Sequence, residues 1–243
     1  MIRDVLAAAQ AGPRPQARRA GVLVAGVIGR IGEALLNRVL SEESAAPGGR
    51  DVVALADSPM ALGLRGLVLA AQDALPPLEA AYVVLSEPGE EAQRSFYGRD
   101  APFVQVDRYN CLHVAQRAVA AGARRLVLVS PMPAWQQVGR FHTGLADGTE
   151  LEIARLPLES LAVLRPVRTG GRAAASFVER LVNLYLSVQL LMLPRSIDVI
   201  TSEKLARCAV AAMRAAGPGV SVYPADRIPG LLEQREPPVQ CAP

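Results

Sequence analysis

Val22, Leu23, Val24 and Ala25 form an apolar run without polar alternation, and the chain leaves it through Gly26-Val27-Ile28-Gly29-Arg30-Ile31-Gly32 into a stretch with Leu35, Leu36 and Leu40 at helical spacing. A strand with no polar face must be covered on both sides. Followed at once by a glycine-spaced turn and an amphipathic helix over residues 31–40, it opens a parallel sheet with helices packed on it, so the fold class is α/β. Pro47, Gly48 and Gly49 close that unit, and the pattern then repeats. Residues 51–56 read as a second strand, 67–69 as a short third, 82–85 as a fourth, 103–121 as a helix stopped by Gly122, and 124–130 as the next strand. A loop rich in proline, glycine and aromatics leads to a helix around 147–156, a strand at 161–164 and Arg165-Pro166. Beyond it, residues 173–193 read as an apolar helix closed by Pro194, 203–215 as another helix and 220–223 as a late strand. The expected architecture is a doubly wound parallel sheet with a small carboxy-terminal helical region that serves a substrate or partner. Residues 1–20 are expected to be a flexible basic arm, and 21–243 a single domain with its core over 21–166 and a carboxy-terminal part over 167–235.

Charge narrows the partners. The net charge of +3 is carried by the first 20 residues, where Arg3, Arg14, Arg18 and Arg19 oppose Asp4 alone. The remainder is neutral, so no clustered basic surface for nucleic acid is expected. The arm has no apolar stretch before a cleavage site, which argues against a secretory leader. Cys111, Cys208 and Cys241 are odd in number and far apart, and two histidines cannot complete a metal site, so a reduced, cytoplasmic setting and no metal are expected. The apolar run 181–193 is shorter than the roughly 20 residues that span a bilayer. It reads as a core or subunit-contact helix, with peripheral membrane docking as the alternative.

The glycine turn carries the strongest chemistry. Glycines between a strand and a helix permit a tight turn, let the backbone approach a pyrophosphate, and let the helix pack closely, while the helix amino terminus offers unpaired N–H groups. Dinucleotide binding is one reading; a turn that needs glycine only for packing is the other. Asp57, at the end of the second strand, has the position of a side chain that accepts from ribose hydroxyls and repels a 2′-phosphate, which favours NAD over NADP. An aspartate capping the next helix would look the same.

Four segments together resemble the atypical extended short-chain dehydrogenase/reductases, including the NmrA-like and NAD(P)H-binding groups. They are residues 25–32, residues 103–107 (Phe103, Val104, Gln105, Val106, Asp107), residues 121–130, and Leu164-Arg165-Pro166. The resemblance covers about residues 21–216. It implies a Rossmann-like domain that binds a nicotinamide dinucleotide, with cofactor contacts at Gly26, Val27, Ile28, Gly29, Arg30, Ile31, Gly32, Asp57, Ser86 and Ser130.

The catalytic pattern of that family is missing. Its enzymes use Tyr-x-x-x-Lys, in which lysine lowers the tyrosine pKa and holds the nicotinamide ribose. Here the corresponding positions read as Phe141 and Leu145, neither of which moves a proton. Independently of alignment, the residues four after Tyr82, Tyr97, Tyr109, Tyr185 and Tyr223 are Ser86, Ala101, His113, Gln189 and Arg227, and the one lysine is Lys204. Ser130, at the end of the fifth strand, and His142, beside the vacant tyrosine position, remain as weak catalytic candidates. Trp135 with Met132 and Phe141 reads as the lining of a small apolar ligand pocket or as a lid plug. Tyr109, His113 and Arg117 recur every four residues, the pattern of a solvated helix face or, as in relatives whose corresponding helices pair, of a homodimer surface. Two functions follow: a dinucleotide-dependent regulator, sensor or assembly partner that has lost the dehydrogenase chemistry, or an oxidoreductase passing hydride from NAD(P)H to a small apolar carbonyl or quinone-like substrate without Tyr/Lys chemistry.

Overall fold

The computed structural model describes residues 20–57, 66–86, 103–132, 145, 148–167 and 200–233. Its centre is a sheet of seven strands, β1 (Gly21–Ala25), β2 (Val52–Leu55), β3 (Leu67–Ala70), β4 (Leu78–Val84), β5 (Arg125–Val129), β6 (Ser160–Arg165) and β7 (Gly219–Pro224). They lie in the order β3-β2-β1-β4-β5-β6-β7, and every pairing is parallel. Parallel strands need crossovers, and helices supply four of them: α1 (Gly29–Ala45) between β1 and β2, α2 (Cys111–Ala120) between β4 and β5, α3 (Gly148–Ala154) between β5 and β6, and α4 (Ser202–Ala215) between β6 and β7.

Each central strand divides its side chains between two cores. Val22, Val24, Tyr82, Val84, Val127 and Val129 join Leu35 and Leu36 of α1 and Leu205 and Ala209 of α4. Leu23, Ala25, Ala81, Val83, Leu126 and Leu128 join Val114 and Ala115 of α2 and Ile153 of α3. The sheet is therefore doubly wound and Rossmann-like. Strand order reverses between β1 and β4, which places the crevice of such folds beyond the carboxyl ends of those two strands.

The helix expected over 103–121 begins only at Cys111. Phe103 instead forms an antiparallel bridge with Ala56, Val104 donates to the Leu55 carbonyl, and the Val106 carbonyl accepts from the Ser86 N–H. Residues 103–106 are thus an extended strap across the ends of β2 and β4. What starts the helix is a reciprocal cap: the Asp107 carboxylate accepts from the Asn110 N–H at 3.0 Å, and the Asn110 side-chain oxygen accepts from the Asp107 N–H at 2.9 Å. The buried stripe is Cys111, Val114, Ala115 and Ala118, and the apolar Leu112 and Val119 lie half-buried at its margin. The apolar run 173–193 lies outside the described residues, among which no helix is long and apolar enough to cross a membrane.

Two polar clusters tie the layers together. Arg165, at the end of β6, and Glu150, in the first turn of α3, form an ion pair with both side chains almost wholly excluded from water. Loss of one partner removes the counter-charge of a buried ion, at a typical cost of about 3–5 kcal/mol. Glu150→Gln and Arg165→Met are each expected to lower the urea unfolding midpoint steeply, with Glu150→Leu/Arg165→Met recovering much of the loss. At the amino-terminal edge of the sheet, Arg50 pairs with Glu43 at 2.5 Å and with Glu79 at 3.0 Å, and Glu79 also pairs with Arg125 at 2.5 Å. Burial pushes the Glu43 pKa up, but the hydrogen bonds and charge of Arg50 outweigh it and hold the group below its ordinary 4.5. A carboxylate more acidic folded than unfolded stabilises the fold above its unfolded pKa and loses that contribution as pH falls through the folded value. Acid titration of stability below pH 4.5 is expected to be less steep in Glu43→Gln than in the parent.

Candidate functional site

The loop after β1 is shaped by backbone approaches that exclude side chains. Gly26 has φ 78° and Gly29 φ 81°, both in the left-handed region. A Cβ on Gly26 would stand 2.0 Å from the Val84 carbonyl oxygen of β4, and one on Gly32 would stand 2.1 Å from the Gly26 carbonyl oxygen. The exits of β1 and β4 are therefore backbone to backbone, and the first turn of α1 rests directly on the loop. Val27 and Ile28 are buried, Ile31 is half-buried against the α1 and α4 core, and Arg30 points to solvent.

Among the described residues no side chain caps the amino terminus of α1. Ile28, its cap residue, makes no side-chain hydrogen bond, and no acidic residue stands in the first turn. By contrast, the Thr201 hydroxyl caps α4, accepting from the Lys204 N–H at 3.3 Å. The first N–H groups of a helix need a partner, and the macrodipole makes an anion the favoured one.

Other predicted residues gather at the same edge. Asp57 is exposed directly after β2. Ser86 follows β4, with its N–H donated to the Val106 carbonyl at 2.8 Å and its hydroxyl oxygen buried without a hydrogen-bond partner among the described residues. Ser130 follows β5, 2 % exposed, with its N–H donated to the Leu164 carbonyl. His142, Trp135 and Phe141 lie outside the described residues, while Leu145 is half-buried against the α2 and α3 core. Lys204 is exposed in the first turn of α4.

The four-residue repeat is largely used within the chain. His113 Nδ1 lies 2.7 Å from the Gln72 amide nitrogen, and Arg117 donates to the Gln72 carbonyl and pairs with Asp73 at 3.0 Å. Tyr109 precedes the helix, in the turn before α2, and is almost fully exposed. Cys111 and Cys208 are buried cysteines outside any disulfide, and burial raises the Cys208 pKa.

Ser86 was read as a cofactor contact, whereas Glu150 escaped the sequence reading. A glutamate three residues before Ile153 shares its core-facing stripe, and a charge there requires a buried partner, which Arg165 supplies.

No family model matches the chain, and no curated protein does. Among solved structures it is similar to the Bordetella bronchiseptica enzyme WbmH in complex with NAD+, with 18 % identity over 85 % of this chain and 75 % of that one at a TM-score of 0.45. It is also similar to WbmG of the same organism in complex with NAD, with 17 % identity over 89 % and 86 % at 0.35. For WbmG in complex with NAD and UDP the values are 16 %, 89 %, 85 % and 0.36. The fold class here rests on the strand order itself.

Gly26→Ala combines a left-handed φ with a backbone collision, and Gly32→Ala adds a collision alone. Overpacking of this kind costs about 1–3 kcal/mol, and the disfavoured φ about 1–2 more. Urea denaturation is expected to rank the parent above Gly32→Ala and Gly32→Ala above Gly26→Ala.

Proposed function

We propose that this chain binds a nicotinamide dinucleotide, NAD(H) in preference to NADP(H), across the carboxyl ends of β1 and β4, and that it works as a dinucleotide-dependent regulator, sensor or assembly partner. The observation that carries this reading is the side-chain-free cradle of Gly26, Gly29 and Gly32 beneath an uncapped helix amino terminus at the strand-order reversal. The cradle fits a pyrophosphate, which would accept from the first N–H groups of α1. The buried Ser86 hydroxyl also fits a ligand there, since it lacks a described partner. Asp57 would accept from the adenosine ribose hydroxyls and repel a 2′-phosphate. Ser130 is the remaining polar side chain proposed to face the cofactor.

A bound nicotinamide supplies hydride exchange. What the chain supplies beside it is orientation. Its sequence has no Tyr-x-x-x-Lys, and its one lysine lies in the exposed first turn of α4. A reading without dehydrogenase turnover follows from those two facts. Within this proposal the protein is cytoplasmic and the chain from residue 21 onward is one domain.

Calorimetry tests the binding. NAD(H) is expected to bind more tightly than NADP(H), Asp57→Ala to narrow the gap, and Gly29→Glu to abolish both. No heat with either dinucleotide overturns the proposal. Ser86→Ala separates a ligand contact from a structural one. An unpaired buried hydroxyl costs about 1–3 kcal/mol, so its removal should leave the free protein as stable or more so while weakening NAD(H) by about 2- to 10-fold. With NADH and a panel of ketones and aldehydes, turnover should be absent or far below about 1 per second. Turnover in that range would establish an oxidoreductase instead.

A further inference from the structure

A second cavity lies at the other edge of the sheet. It has a volume of about 570 Å³ and is bounded by Ala20 before β1, by Glu79 and Arg125 at the starts of β4 and β5, and by the last turns of α1 and α4. Helix α1 has 17 residues, so at ~1.5 Å per residue it places this cavity about 25 Å from the glycine cradle. Volumes of roughly 300–1,000 Å³ are those of small-molecule sites.

The cavity is rich in donors. Its carboxylates are engaged: Glu43 with Arg50, Glu79 with Arg50 and Arg125, and Glu42 with Arg38 and Arg214. Arg50 spends its donors on two of them. Arg125 and Arg214 each give one described contact, at 2.5 Å, although a guanidinium carries several further N–H groups. Arg214 is well exposed at the mouth, whereas Glu42 and Glu43 lie deeper.

Tyr82 supplies the second observation. It is 4 % exposed, lines the cavity from β4, and joins none of these pairs. Burial, with the Glu42 charge second, raises its pKa, so the hydroxyl stays protonated and able to donate. The Tyr82 ring fills the core beside Val22 and Leu35, a task a phenylalanine would also perform, so what the tyrosine adds in this strand of alanine and valine is its hydroxyl. Val210 and Met213 form an apolar wall beside it.

We infer that this cavity is a second ligand site, separate from the dinucleotide crevice, that takes a small organic oxyanion. A carboxylate or phosphate accepts from Tyr82, Arg125 and Arg214, and the organic body lies on Val210 and Met213. Recognition is by donors that no described contact uses, so no described ion pair need break.

Calorimetry on the full chain tests it, with benzoate and inorganic phosphate as probes at an ionic strength held constant with NaCl. Saturable binding of either probe is expected, weakened about tenfold by Tyr82→Phe and by Arg214→Gln, with NAD(H) binding and unfolding midpoint held close to the parent in at least one of the two variants. The tighter probe assigns carboxylate or phosphate as the preferred oxyanion. No heat beyond the NaCl control, or equal affinity in parent and both variants, overturns the inference. The NAD(H) measurement on the same proteins is independent of it, so failure here and failure of the dinucleotide reading are told apart.

Discussion

Two backbone contacts organise the carboxyl edge of the sheet: Gly26 against the Val84 carbonyl, and Gly32 against the Gly26 carbonyl. Because no Cβ stands between them, β1 and β4 leave the sheet side by side, and α1 starts directly above the loop instead of a side chain's width away. That closeness lets Leu35, Leu36 and Val39 reach the core beneath α1. It also leaves the first N–H groups of α1 facing the crevice. A single methyl group at either glycine would oppose both the packing and the cradle, so the stability of the fold and the shape of its site are not separable here.

A fully parallel sheet has no solvated face, and its polar groups must be dealt with at its edges and in its crossovers. At the amino-terminal edge, arginine and glutamate side chains compensate one another between α1, β4, β5 and α4. On the α2 side, the pair Arg165 and Glu150 is carried inside, fixing short α3 to the end of β6. The seven residues of α3 are too few to hold a helix by local bonding alone, so this pair and Ile153 together account for its place.

The glycine loop was legible because its three glycines are close in sequence and serve a local geometry. Most strands were legible for the same reason, with period and boundaries readable in short windows. The strap at residues 103–106 was not: Phe103, Val104 and Val106 have spacing that suits a helix, yet bonds to Leu55 and Ser86, far along the chain, hold them extended. The helix signal that mattered was Asp107 with Asn110, three residues apart. Glu150 with Arg165, and the burial of the Ser86 hydroxyl, depend on what tertiary packing brings near, which no window of sequence contains.

Uncompensated polar groups are costly, at about 1–3 kcal/mol for a buried one and about 1 kcal/mol for a missing helix cap. A protein of marginal stability gains nothing by collecting such costs in one place unless something else offsets them. Among the described residues they coincide: the α1 terminus without a side-chain cap and the unpaired Ser86 hydroxyl both stand at the reversal between β1 and β4, whereas α4 is capped by Thr201 and the turn into α2 by Asp107 and Asn110. Unpaired donors concentrated where the fold opens a crevice are what a bound, acceptor-rich ligand would relieve. The same reasoning gives Tyr82 its weight at the other end of α1, because a donor carried into a strand of alanine and valine has no part in filling the core that a phenylalanine would lack.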